Sequence, residues 1–568
     1  MFNIIKKHYL VIILALLVGV LTFMPQYLAI INMGEDFKGI YPINNDDEIY
    51  YLARARDVTD GHNFLSNPYL YEYKDSDPMQ FWLPDYILAK PLSFFDINIE
   101  QGFTIYDFIL PIILTLLTYA IIFSITKNKI LSLTGATWLH LGRFLYFFDR
   151  PISPQFIFIF WSLTLFLLIK YIRSKKAAFF ASSIIIFGLL FHFYPYFWTF
   201  FIVLLLVFML LGILHTRKFN FKPYFYIILG AVLIGIIYFI SLFNSTQNPY
   251  YDESIYRLGM IDSHFPSGIK IVVLSSLLLL LWFIFYKKKI ISINKTSLLL
   301  VSGLIATVVC VNQHVITGKN LEFSSHYLPL SIFWYVISTS YLINKLFISD
   351  KFIKNKSKIF VSLFILVFVW SAWQASNLFF KNSKANDWKI DMQRYAVVLD
   401  WLDNNTDKES VVYANQDISH LIPLYTADNI FYAREANLFF LPDEEVFERF
   451  VINNYYQDFT KDFLIANERS VWGVHYRDEY HHNLSKNKLR KIFFLNPVEY
   501  QAIPEYKIEH VLNLAEQIKS DTLENNLFKY KVDYLVFDSK HDIWNEEDLD
   551  FTELVINLDD FFIYKINK

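Results

Sequence analysis

The sequence predicts a polytopic α-helical membrane protein with an appended soluble α/β domain, and three observations carry that prediction. Hydrophobic residues make up 54% of the 568 residues, aromatics 19%, and the mean hydropathy is +0.31. Soluble chains stay near ~45–50% apolar, and the excess here lies before Phe379. That region divides into about eleven stretches of the ~20 mostly apolar residues that a bilayer-crossing helix needs. Finally, basic residues recur in alternate loops, as the positive-inside rule requires.

The stretches run Tyr9–Ile31, Ile105–Thr126, Ile130–Phe148, Gln155–Ile172, Ala177–Phe193, Pro195–Leu214, Pro223–Phe243, Gly268–Tyr286, Thr296–Thr317, Tyr327–Ile348 and Lys358–Leu378. Lys6 and Lys7 precede the first, and no small-residue cleavage site follows, so it reads as an uncleaved anchor. The third is interrupted by His140 and Arg143, and losing it would invert everything downstream. Lys127 and Lys129, then Arg173, Lys175 and Lys176, fall on one side. So do Arg217, Lys218 and Lys222, the run Lys287 to Lys289, and Lys351, Lys354, Lys356 and Lys358. That side is the cytoplasm, with the N-terminus inside and the C-terminal domain outside.

Two domains follow: a membrane region over 1–378, with a long outside loop at 32–104, and a soluble region over 379–568. In the loop, Phe81–Phe95 is too short and too broken by proline to span, and its aromatic residues suit the membrane interface. In the soluble region Asp391–Leu402 has helical periodicity, and Asp443–Tyr456 looks helical with an acidic first turn. Val411–Ala414, Ile430–Ala433, Tyr534–Phe537 and Phe561–Ile566 are short β-rich runs, so strands alternate with helices. The elements of 456–525 cannot be placed from pattern, and the pair His481-His482 reads as surface. Net charge is −3, which points away from nucleic acid. The single cysteine, Cys310, sits in an apolar stretch, so no disulfide or cysteine metal site is available within the chain.

The chemistry concentrates in Asn44–Asp57, NNDDEIYYLARARD. Asp46, Asp47 and Glu48 open an amphipathic stretch in which Asp47, Tyr51 and Ala55 share a helix face. Carboxylates just outside a bilayer, followed by Arg54 and Arg56, suit acid–base work beside an anionic ligand. The same acids also suit a helix N-terminus, and the arginines also suit pairing with Glu48, Asp57 or Asp60. Asp149 and Arg150 stand at the outer end of a span, where helix capping competes. His192, Tyr194 and Tyr196 form an aromatic group that reads first as an interfacial belt. His314, Lys319 and His326 belong to a polar group at the end of a span, costly unless it faces a cavity.

The string Asp47-Glu48-x-x-Tyr51-x-x-x-Ala55-Arg56 resembles the first-loop motif of glycosyltransferase family 39-like proteins, which include protein O-mannosyltransferases and lipid A aminoarabinose transferases. Its position after the first span also matches. The resemblance implies a GT-C fold, a polyprenyl-phosphate sugar donor and a hydroxyl acceptor on a glycan, lipid or protein. Asp47 would then be the catalytic base, flanked by Asp46 and Glu48. Arg54, Arg56, Tyr51, Asp149, Arg150, Arg257, His314, Lys319 and His326 are the candidates for binding donor phosphate or substrate. Lys74 stands where related transferases place a basic residue in this loop, although YEYKDSDP departs from their lysine–proline spacing. No HExxH-type ligand spacing occurs, so a divalent metal is unassigned; enzymes of this family commonly work without one, while oligosaccharyltransferases of related fold use one. A transporter is the rival class, against which stand the few acids within the spans and the lack of a visible inverted repeat. A lipid–glycan ligase or polymerase of the same fold is the nearer rival.

Overall fold

The computed structural model describes residues 2–43, 46–78, 81–145, 150–321, 326–348, 356–500, 503–544 and 546–567. Each apolar stretch is helical over most of its described length. Among the described residues six helices are long and apolar enough to cross a membrane: those within Lys6–Asp36, Ile99–Thr126, Pro151–Ser174, Pro195–His215, Ile269–Lys287 and Lys356–Asn405. A seventh is added if Lys222–Ile234 and Ile236–Ser245, bent by 54° at Gly235, form one broken span. A side chain on Gly235 would run into Phe191 at 2.6 Å, so the glycine admits this close approach at the bend.

Of the remaining stretches two are interrupted for visible reasons. The helix Lys129–Leu139 passes into a π-helical turn at His140–Phe144, and 146–149 lie outside the described residues. His140 is buried there and its Nε2 lies 2.9 Å from the Thr118 hydroxyl, which satisfies a polar ring in an apolar setting. The helix Lys295–Val311 ends where Asn312 leaves helical geometry, and His314–Thr317 is a separate turn. Leu328–Ile348 is helical throughout, with Ser331, Ser338, Ser340 and Asn344 buried along it. At the bundle centre Trp161 packs among Phe158, Phe197, Phe200, Phe201, Phe333 and Trp334, with centroids 5.0–6.5 Å apart.

The loop between the first helix, Phe2–Met33, and Ile99–Thr126 holds two further helices, Asp46–Asp60 and Leu83–Phe94. Phe94 and Phe95 at the end of the second are 83% and 68% exposed, the pattern expected of an interfacial segment.

The C-terminal region forms a five-stranded sheet of order Asn429–Ile430, Val411–Tyr413, Tyr534–Asp538, Phe561–Ile566, Thr552–Leu558. The first three strands are parallel and the last two antiparallel. The edge strand Thr552–Leu558 went unread in the sequence because most of its side chains are solvent-facing. The unplaced stretch is helical: Lys461–Ala466, Glu468–Trp472, His475–Ile492 and Glu505–Lys519. His482 corrects the surface reading of its pair, being buried with Nε2 2.7 Å from Ser263 Oγ.

Loop and domain interlock. Ile430 N–H donates to Tyr69 O at 2.9 Å, and Asn67 Nδ2 to Ala436 O at 3.3 Å. The amides of Lys38 and Ile40 both donate to Gln393 Oε1, at 3.0 and 3.2 Å. Arg449 reaches Glu72 at 3.0 Å, and the Tyr73 hydroxyl donates to Glu445.

Candidate functional site

The helix Asp46–Asp60 begins with three acids, which the positive helix N-terminus favours. Asp47 and Glu48, adjacent in its first turn and about 100° apart around the axis, point in different directions. Asp47 is 65% exposed at its side chain and receives Arg150 Nη1 at 2.5 Å. Arg150 lies over the Tyr51 ring at 5.3 Å, and Arg54 lies 5.0 Å from the same ring. Asp47, Tyr51 and Arg54 thus form one stripe at spacings of four and three residues. The side chain of Asp46 falls outside the described set, and so does Asp149.

Glu48 turns inward. It is buried and lines a hollow of about 490 Å³, mouth included, with Gln26 of the first helix, Asp107 of Ile99–Thr126 and Asn382 near the last. Asp107 accepts a hydrogen bond from Gln155 Nε2 at 2.5 Å. Asp107 and Gln155 were not singled out in the sequence; an acid inside an apolar span was the available signal.

Arg54 does not face the site as a free cation. Its Nε and Nη2 reach Asp85 at 3.0 and 2.7 Å, both side chains being buried, while Nη2 also donates to Phe81 O at 2.8 Å and Nη1 to Tyr50 Oη at 3.1 Å. Burial disfavours both charges, but the two-pronged pairing holds the guanidinium ionised above its ordinary range. Burial also pushes the Tyr50 hydroxyl well above the usual range, so it stays protonated. The partner is Asp85, not the nearer acids Glu48, Asp57 and Asp60. Arg56 instead takes Asp60 at 3.0 Å and Asp403 of the C-terminal region at 3.4 Å.

Lys74 makes a separate centre, with Nζ 2.6 Å from the buried Asp57 carboxylate and 3.2 Å from Pro68 O. His62 bridges Asp57 at 2.9 Å and Glu409 at 3.2 Å, and its bond to Asp57 raises its pKa. Gly61, at φ +125°, permits the turn that brings His62 back over the helix end. Beside them burial drives the Asp428 carboxyl up to about 7, with Asp403 and Asp533 adding to the rise against hydrogen bonds from Thr406. The folded chain therefore holds a proton here that the unfolded chain, near 3.8, releases. Stability should fall as pH rises from about 4 to about 7, by as much as ~4 kcal/mol. Asp428→Asn should flatten that fall in denaturation profiles taken across this range.

The other candidates are committed elsewhere. Arg257 is buried, pairs with Asp443, and donates to Leu441 O at 2.5 Å and Asn437 O at 3.2 Å, clamping the C-terminal domain. His314 is buried, its Nε2 2.8 Å from Phe265 O and its ring 6.3 Å from that of His482; burial lowers its pKa. Lys319 is 56% exposed and pairs with Asp262 at 2.6 Å. His326 Nδ1 meets Tyr194 Oη at 2.5 Å, its ring stacked 4.8 Å from Tyr196, and Tyr194 packs edge-on to Phe81, whose carbonyl holds Arg54. Among the described residues no group of three or more His, Cys, Asp or Glu is placed to hold a metal ion.

The fold is that of a polytopic helical membrane protein, with a carboxylate–arginine contact on the helix Asp46–Asp60 of a loop that its C-terminal region packs against. Two crystal structures of ArnT from Cupriavidus metallidurans are similar to it. The one bound to undecaprenyl phosphate shares 12% identity at a TM-score of 0.46, covering 75% of this chain and 85% of that one. The apo form shares 12% identity at 0.47, covering 82% and 95%. No protein-family model and no curated protein matches the chain.

Proposed function

We propose that the protein is an integral membrane glycosyltransferase that moves a sugar from a polyprenyl-phosphate-linked donor to a hydroxyl acceptor on the extracytoplasmic side. The observation that carries this reading is the contact of Asp47 with Arg150, residues 103 apart in the chain. The likeness to ArnT, at 12% identity, carries none of it.

An exposed carboxylate can take the proton of an acceptor hydroxyl. The acceptor oxygen then bonds to the anomeric carbon from the face opposite the phosphate. The carbon–oxygen bond to phosphate breaks, and the polyprenyl phosphate departs with the electron pair, giving inversion. The charge that builds on phosphate needs a cation at that point, and Arg150 offers a planar fork beside the base. Once Asp47 is protonated it no longer holds Arg150, so the guanidinium passes from carboxylate to leaving group. Lys74, Arg56 and Arg257 serve the architecture of the loop and its cover. The soluble domain, on this topology, lies outside and the N-terminus inside, since every basic loop cluster falls on the opposite face.

The test is transfer by the purified full chain from a panel of polyprenyl-phosphate sugars to hydroxyl acceptors. Turnover with one donor and none with the free sugar phosphate supports the reading; no turnover with any lipid-linked donor overturns it. Arg150→Gln should lower kcat by about 10²-fold, the cost of losing one donor to a developing anion.

A further inference from the structure

We propose that the C-terminal domain carries a second site, separate from Asp47, that binds an uncharged saccharide in the cleft at the carboxyl ends of its parallel strands. The cleft holds about 250 Å³, just under the ~300 Å³ at which drug-sized ligand sites begin, so it suits one or two sugar rings. Asn415 and Asp417 follow the strand Val411–Tyr413, and Asp542 and Trp544 follow Tyr534–Asp538. From Val411–Tyr413 the chain crosses to Asn429–Ile430 on one side, while Tyr534–Asp538 lies on the other. The cleft therefore stands where the winding of the sheet reverses, the place at which open α/β sheets bind ligands.

The first loop runs along the edge strand and reaches the amino ends of these strands, and none of its described residues lines the cleft. His62 reaches Glu409, which precedes Val411, and Asp428 precedes Asn429. The cleft is thus a different surface from the one that carries Asp47.

Its chemistry selects the ligand. Among the described residues lining it there is no lysine or arginine, and the one imidazole, His541, stands with the acids Asp417 and Asp542, so a phosphate or carboxylate ligand would meet more negative than positive charge. Amides and carboxylates supply paired acceptors and donors for hydroxyl groups. The walls also present aromatic rings, Tyr456 and Trp544, whose faces suit the C–H surface of a pyranose. These walls are preformed: Trp544 packs 5.3 Å from both Tyr413 and Phe537, and Asn415 Nδ2 holds Asp542 at 3.2 Å. The Asn453 Oδ1 atom is buried there without a hydrogen-bond partner.

The full chain in lipid nanodiscs would be titrated with neutral, amino-bearing and uronate oligosaccharides, followed by saturation-transfer NMR. A neutral oligosaccharide should bind with a Kd of ~1 mM or tighter, and Tyr456→Ala and Asp417→Asn should each weaken it about tenfold. Asp417 is exposed, so thermal unfolding of Asp417→Asn should stay near wild type, whereas Tyr456 is half-buried with its hydroxyl donating to Asp548 at 3.1 Å, and Tyr456→Phe serves as its folding control. Asp47→Asn should bind as the wild type does, which separates this site from the transfer reaction. The proposal is overturned by absence of neutral-saccharide binding, by equal binding in both cleft variants, or by preference for the uronate or amino series.

Discussion

Asp47→Asn should abolish transfer, lowering kcat by roughly 10²–10⁴-fold, the contribution of a positioned general base. The amide keeps the shape of the side chain and its oxygen can still accept from Arg150, so expression and thermal unfolding should be unchanged. That separation matters because Asp47 is exposed and supports little packing. Asp47→Glu should retain part of the rate, as the carboxylate survives at a displaced position. Full activity in Asp47→Asn, measured in the same donor panel, would remove the proposed base. The inward-facing Glu48 would then be the next residue to replace.

The second large effect concerns stability. Arg54→Met or Asp85→Leu, each alone, should cost about 3–5 kcal/mol, because either leaves its partner charged and buried with no counterpart. The double replacement should cost less than either single one, since two apolar groups of similar volume then fill the space. Denaturation of the detergent-solubilised protein would measure this. Additive costs would mean that the pair does not act as a unit. Tyr51, which rests against both Arg54 and Arg150, links this buried pair to the exposed one. The placement of Tyr51 therefore depends on Arg54, although Arg54 is itself buried.

Much of the architecture was legible because a bilayer imposes simple rules. Length and hydropathy located the helices, and Val411, Tyr534 and Phe561 opened runs that do become strands. What the rules could not supply were pairings between distant residues. Asp85 lies 31 residues from Arg54, and Arg150 lies 103 from Asp47. Nothing in local spacing distinguishes those partners from Asp57 or Asp60. Arg257 looked available because its acceptors, among them the carbonyl of Leu441, come 184 residues later. The stretches around Val311 and Phe144 were read as spans because composition hides where a helix changes pitch or stops. In the site itself, the motif drew attention to the right helix, while the division of labour along it depended on tertiary packing.

The seam between the first loop and the soluble domain also has a temporal side. Lys38 and Ile40 find Gln393 across 355 and 353 residues. At a synthesis rate of ~5–20 residues per second, the ribosome needs roughly 20–70 s to deliver that partner. Through that interval the amides of Lys38 and Ile40 lack this acceptor while the bundle is threaded into lipid. Maturation of this protein thus waits on its last-made third, and a chain stopped short of Gln393 should be a client for quality control rather than a smaller folded protein.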